Sequence, residues 1–345
     1  MPLKKTGRIL AVALVAVTFA STSSEALANG RAPGRGPKPG SQGGQPSGEK
    51  KGQEIASKIT YDLTKNGSGG SVGAVTPVGD WTPPPCWFAP KYTPDQYKAW
   101  WEDLWSYGPD EAEWVKKSKK KFGKGAPDEN FHKDDTGKGY WWGHFINRDR
   151  MDETAAWECF SRDPWWVKKG EDPKVEHAIS PKILAGLAYD KIRVPDTAVS
   201  MNPNGKQTVN LPTWVWLNKA RFKPISVTAS LPALDMSATT TAKPVSLHIE
   251  PGTQDAEVFP ASGDCPINDD GSIGTPYVKG KGKQDPPCGV TYLRATTNTP
   301  PHKLKATLTW EIAWKGSGGA SGDLPNGTFG TTTDITVQEA QAINR

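Results

Sequence analysis

The chain has no apolar run long enough to stay in a bilayer. The longest, residues 9–20, falls short of the ~20 a membrane helix needs, and mean hydropathy is −0.60. Phosphate-binding glycine loops are missing too. The nearest approach to G-x4-G-K-[ST], from Gly274 to Gly280-Lys281, has one residue too many and no hydroxyl after the lysine. No G-x-G-x-x-G follows a strand, so no nucleotide and no cofactor is expected. Gly69-Gly70-Ser71-Val72-Gly73 spells G-x-S-x-G, but a nucleophile elbow needs a strand before and a helix after, and here both flanks are Gly/Ser-rich. Cysteine is scarce: Cys86, Cys159, Cys265 and Cys288 are the only four. None stands in a C-x-x-C pair or beside a histidine, which argues against a metal site.

What is present begins with a basic start, Lys4, Lys5 and Arg8, ahead of the apolar run 9–20 and of Ala26-Leu27-Ala28. This is the pattern of a secretory signal cleaved after Ala28. The expected location is therefore secreted or extracellular, with no membrane span in the mature chain. The net charge of +5 loses three basic groups and one acidic group with the signal, and a weakly basic balance does not imply nucleic acid. An even cysteine count in an exported chain implies two disulfides with three pairings open. Each sequence-adjacent pair brackets one expected domain, so Cys86–Cys159 and Cys265–Cys288 are expected. Loop-closure entropy gives them about 4.5 and about 3.5 kcal/mol.

Composition then divides the chain. Residues 29–80 are rich in Gly, Pro, Ser and Lys and read as a disordered linker. Residues 81–191 hold eleven of the fifteen tryptophans and read as a small Trp-rich helical unit. Thr93-Pro94-Asp95-Gln96 is a capping-box start, and Tyr97, Trp100, Trp101, Leu104 and Trp105 follow at helical spacing. Further helices are expected at 110–121, at 150–160 with Met151, Ala155 and Cys159 on one face, and at 182–191.

From 192 to 345 the period changes from 3.6 to 2. Strands are expected at 197–201, 208–211, 214–217, 225–231, 245–250, 256–259, 290–296, 304–314 and 332–338. The clearest alternates Leu304, Ala306, Leu308, Trp310, Ile312 and Trp314 against Lys305, Thr307, Thr309, Glu311 and Ala313. At twice the usual length it belongs at the centre of a sheet. Leu324-Pro325-Asn326-Gly327-Thr328 resembles a wall-sorting signal, but Gly and Thr are reversed and no apolar tail follows, so it reads as a turn. The fold class expected is mainly β, an immunoglobulin-like antiparallel β-sandwich behind the helical unit.

Several spaced segments carry a family resemblance. They are Ile192-Arg193-Val194-Pro195, Asn202-Pro203-Asn204-Gly205, Val209-Asn210-Leu211-Pro212-Thr213-Trp214-Val215-Trp216-Leu217, Gly274-Thr275-Pro276-Tyr277, Cys288-Gly289-Val290-Thr291-Tyr292, the Trp310/Trp314 strand and Val337-Gln338-Glu339-Ala340-Gln341-Ala342. Over residues 179–345 the chain resembles secreted actinobacterial proteins of unassigned function. The resemblance implies a C-terminal PKD- or immunoglobulin-like domain. Members of that group are described as ATP/GTP-binding proteins or enoyl reductases, and the residues here support neither activity.

Two features are candidates for binding. The first is the basic run Lys116, Lys117, Lys119, Lys120 and Lys121 beside Trp114, which suits an anionic polymer or is simply a solvated helix end. The second is the pairs Trp141-Trp142 and Trp165-Trp166, which stack on sugars if exposed or form a core if not. Asn268-Asp269-Asp270-Gly271 has the flavour of a calcium loop, but Pro266 stands where an acid is wanted, so it reads as a turn. The sequence thus reads as an exported, non-catalytic binding protein of the cell envelope or matrix. Its expected partners are anionic cell-wall polymer, polysaccharide or another envelope protein. The rivals are a secreted hydrolase using His132, Asp134, Asp135 or Glu158, and a structural spacer.

Overall fold

The computed structural model of the chain describes residues 58–68, 72–217 and 222–340; the expected signal 1–28 lies outside them. Ahead of the Trp-rich stretch come β1 (Thr60–Asp62), β2 (Val72–Ala74) and β3 (Thr76–Pro77). The stretch itself contains β4 (Cys86–Tyr92), α1 (Pro94–Ser106), α2 (Glu113–Lys121), β5 (Gly139–Ile146), β6 (Trp165–Lys168) and α3 (Pro181–Asp190). Next are β7 (Arg193–Pro195), β8 (Ser200–Asn202), β9 (Gln207–Thr208), β10 (Thr213–Leu217), β11 (Ile225–Leu231) and β12 (Met236–Glu250). Four short strands follow: β13 (Ala256–Phe259), β14 (Asp264–Pro266), β15 (Ile273–Gly274) and β16 (Gly289–Tyr292). The chain finishes with β17 (His302–Gly316), β18 (Ser321–Ile335) and β19 (Val337–Gln338).

The fold is mainly β. A seven-stranded antiparallel sheet runs β1-β11-β12-β17-β18-β3, with β14 also paired to β12. A five-stranded sheet runs β13-β16-β10-β15, with β8 paired to β10. Strand β17 lies between β12 and β18, in the middle of the large sheet as its length predicted. Leu304, Ala306, Leu308, Trp310 and Ile312 are all at most 2% exposed and face the core. Lys303, Lys305, Glu311, Ala313 and Lys315 face solvent.

Two different covers bury that inner face. One is α3. Ser180 caps its N-terminus through a bond from the Ile183 N–H, and Leu184, Ala185, Leu187 and Ala188 are buried. Thr240 Oγ1 on the inner face of β12 donates to Ala185 O at 2.8 Å, which locks helix to sheet. The other cover is the five-stranded sheet. In the segment leading into β8, Thr197 Oγ1 donates to Ala306 O at 2.9 Å; in the sheet itself the Tyr292 ring stacks on His302 of β17, Tyr292 Oη donates to Pro251 O at 3.2 Å, and the Cys265–Cys288 disulfide joins β14 to the residue before β16. Both disulfides pair as expected.

Several expectations need correction. Residues 60–77 fall in the expected linker, yet β1 and β3 close the two opposite edges of the large sheet and β2 pairs with β7. Unpaired edge groups are a liability, and even short strands satisfy part of them. The described residues fall within one compact unit. The expected turn at 324–328 is strand within β18, opposite β17 and with a register shift there. Pro325 is tolerated because β3 pairs only Gly327 and Thr328 on that edge. The Trp-rich stretch is not simply helical, since β4, β5 and β6 form an antiparallel sheet through it. The helix expected at 150–160 is instead a 3-10 segment, Thr154–Ser161. Ala156 and Cys159 point inward, while Met151 is exposed.

Replacing both Cys265 and Cys288 by Ala removes the covalent tie between the two sheets. We expect urea unfolding to show a loss of about 3 kcal/mol, with the Cys86–Cys159 bond still formed by mass mapping.

Candidate functional site

Around α1 and α2 the chain packs aromatic rings where other proteins pack aliphatics. The α1 capping box forms as predicted: Thr93 Oγ1 accepts from the Gln96 N–H and Gln96 Oε1 from the Thr93 N–H. That start fixes the helix phase. Tyr97 then lies 1% exposed at the centre of a cluster with Phe122, Phe131 and Trp141. Its ring centroid is 4.3 Å from Trp141, and those of Phe122 and Phe131 are 4.0 Å apart. Trp100, Trp101, Trp105 and Trp166 pack half-buried around it. Tyr107 caps the end of the helix, and at Gly108 the Trp114 ring occupies the space a side chain would need, 2.4 Å from a Cβ placed there.

Helix α2 turns Val115, Ser118 and Phe122 toward this cluster, and Trp105 Nε1 donates to Ser118 Oγ at 2.7 Å. Lys116, Lys117, Lys119, Lys120 and Lys121 therefore all face solvent, and Trp114 is half-buried. Lys119 pairs with Asp110 at 2.7 Å and Lys121 with Asp128 at 3.6 Å. Among the described residues Lys116, Lys117, Lys120 and the neighbouring Lys124 have no ion pair.

The tryptophan pairs are not free plates. Trp141 and Trp142 are 0% and 4% exposed, and the Trp141 indole N–H donates to Phe131 O at 3.0 Å. Both are core, the second of the two readings their sequence allowed. Trp165 is half-buried with the Arg162 guanidinium 4.0 Å over its ring. Trp166 is stacked on His132, with centroids 4.5 Å apart and planes 7° apart.

Of the hydrolase candidates, His132 and Asp135 come together. Asn130, Phe131 and His132 have φ of 46°, 59° and 60°, three left-handed residues in succession with no glycine. Such a turn is strained by about 1–2 kcal/mol per residue and is held by the burial of Phe131 and the Trp141 bond. It sets His132 Nε2 3.4 Å from Asp128 Oδ1 and Nδ1 3.5 Å from Asp135 Oδ2. Asp134 is exposed, and among the described residues no hydrogen bond or ion pair joins Glu158 to this group. No cluster of three or more potential metal ligands is found among the described residues. The Asn268–Gly271 turn closes on itself: the Gly271 N–H donates to Asn268 O at 2.8 Å and the Ser272 N–H to Asp270 Oδ1 at 2.9 Å.

In sequence His144 groups with His132, Asp134 and Asp135 as an acid/base candidate, but its burial, and that of Lys91, was not foreseen. Lys91, at the bulge of β4, is 7% exposed and lies across Gly143, where a Cβ would stand 2.7 Å from its Cδ. Its ammonium donates to His144 O at 3.1 Å and sits 5.5 Å from the Phe145 ring centroid. Burial brings it down from 10.5 to about 8. His144 is equally buried, with neither ring nitrogen hydrogen-bonded. Burial first, then the Lys91 charge, brings it down to about 3. The aromatic run of β5 was a strand signal, and recognising it would have placed Gly143 and His144 in a sheet.

No known family, curated protein or solved structure matches this chain.

Between about pH 8 and 10.5 the unfolded Lys91 keeps its proton and the folded one has lost it, so unfolding takes up a proton and stability rises with pH. Below pH 8 the full penalty, about 3 kcal/mol, is present. We expect Lys91→Met to raise stability at pH 7 by roughly 2 kcal/mol and to flatten that alkaline rise, read by urea unfolding across pH. The His144 resonances, followed by NMR, should titrate at higher pH in the same variant.

Proposed function

We propose that the protein acts outside the cell, in the envelope or matrix, as a non-catalytic binding protein, and that α2 is the face that holds an anionic polymer of the wall. One observation carries this reading. Lys116, Lys117, Lys120 and Lys124 are exposed without ion pairs among the described residues, on a segment whose other side is fixed in an aromatic core. Lys116/Lys120 and Lys117/Lys121 are four residues apart, and like charges at that spacing destabilise a helix by about 0.2–0.5 kcal/mol per pair. A polyanion relieves that repulsion. Isolated surface lysines are normally scattered among acids; here Asp110 and Asp128 pair only with Lys119 and Lys121.

The exported location rests on the N-terminal signal pattern, and two disulfides are compatible with it. On this reading residues 192–345 are an immunoglobulin- or PKD-like sandwich that serves as a scaffold, in keeping with the resemblance to secreted actinobacterial proteins. A hydrolase remains a second reading because His132 lies between Asp128 and Asp135 under Trp166. It requires His132→Ala to abolish a measurable hydrolysis of wall polymer.

The test is co-sedimentation with purified wall before and after its anionic polymer is stripped. We expect retention by intact wall that falls with rising salt. In the triple variant Lys116→Glu, Lys117→Glu, Lys120→Glu it should drop by about tenfold or more, with the unfolding temperature unchanged. Absence of retention by intact wall at low salt rules the reading out.

A further inference from the structure

All fifteen tryptophans lie in the described residues, and Trp157 alone is exposed, at 40%. It stands on the 3-10 segment Thr154–Ser161. In a 3-10 helix residues three apart are eclipsed, about 6 Å from one another. The segment therefore has three distinct sides. Ala156 and Cys159 make the buried one, at 0% and 1% exposure, and the Cys86 disulfide pins it to β4. Thr154, Trp157 and Phe160 make another, with the Trp157 and Phe160 rings 5.9 Å apart.

The Trp157 ring is held rather than loose. Its indole N–H donates to Met151 O at 2.8 Å, so its one polar atom is used internally and the rest is an apolar plate. Thr154 and Glu158 are exposed beside it, and neither the Thr154 hydroxyl nor the Glu158 carboxylate has a hydrogen-bond or ion-pair partner among the described residues. A fixed apolar plate with free hydrogen-bonding groups at its rim complements a pyranose, which has a C–H face and peripheral hydroxyls. The flanking acids Asp152, Glu158 and Asp163 are exposed and repel a polyanion. The ligand that fits is uncharged, unlike the one that suits α2.

We propose that the Thr154–Trp157–Phe160 face is a stacking platform for a neutral sugar chain. The inference uses none of the α2 lysines and stands whether or not they bind anionic polymer. Its test is affinity electrophoresis through gels containing xylan, laminarin or hydroxyethyl cellulose. Wild type should be retarded by at least one of the three, to the same extent at high salt. The Lys116→Glu, Lys117→Glu, Lys120→Glu variant should be retarded like wild type, which separates this site from the basic helix. Trp157→Ala should lose about tenfold in affinity, and Trp157→Phe, which keeps a ring, should lose less. A measurement that needs no variant is oxidation by N-bromosuccinimide with mass mapping: the retarding glycan should protect Trp157 selectively. No retardation by any of the three glycans overturns the proposal. So does a Trp157→Ala protein that migrates like wild type, or Trp157 oxidation at the same rate with and without glycan.

Discussion

Three fifteen-residue strands side by side create an inner face about 50 Å long, and water must be kept off all of it. The ten residues of α3 extend only about 15 Å. No single element can cover such a face, and the architecture follows from that mismatch. The helix covers the end near Thr240. The five-stranded sheet covers the end near Ala306, and a disulfide holds it in place. The edges are then closed by strands from far upstream, β1 against β11 and β3 against β18.

What the sequence reveals is what local rules govern. The alternation along β17 and β11, the capping box of α1 and the bracketing of cysteines are all short-range patterns, and all appear in the structure. What it hides is decided by distant partners. The first half of β18 carries Ser, Gly, Asp, Pro and Asn, poor strand formers alone, and is strand because β17 pairs with it along its length. Residues 60–77 lack an apolar pattern and gain structure only from the edges they meet. In the Trp-rich stretch, aromatic residues suit strands as well as helices, and β5 was hidden behind that ambiguity.

The candidate site divides the same way. The outward lysines of α2 follow from helix phase and were legible. The pairs Trp141-Trp142 and Trp165-Trp166 looked equivalent, yet strand pairing buries the first and covers the second with Arg162 and His132. Trp157 had a usable signal. It lies two residues before a bonded cysteine, and in any helical geometry that places it away from the side Cys159 turns inward. Lys91 had none. Its burial depends on a bulge and on a glycine across the sheet, neither of which composition shows.

The edge strands also govern how the molecule can be assembled. Thr76 and Thr328, joined in one of those edges, are 252 residues apart. In a chain made from its N-terminus, β3 is present long before β18 exists to receive it. Loop closure over such a span is slow compared with local helix formation. The tryptophan cluster, built from nearer neighbours in sequence, can therefore condense first. The long sheet becomes complete only when almost the entire polypeptide is available, which makes its closure a late event in folding.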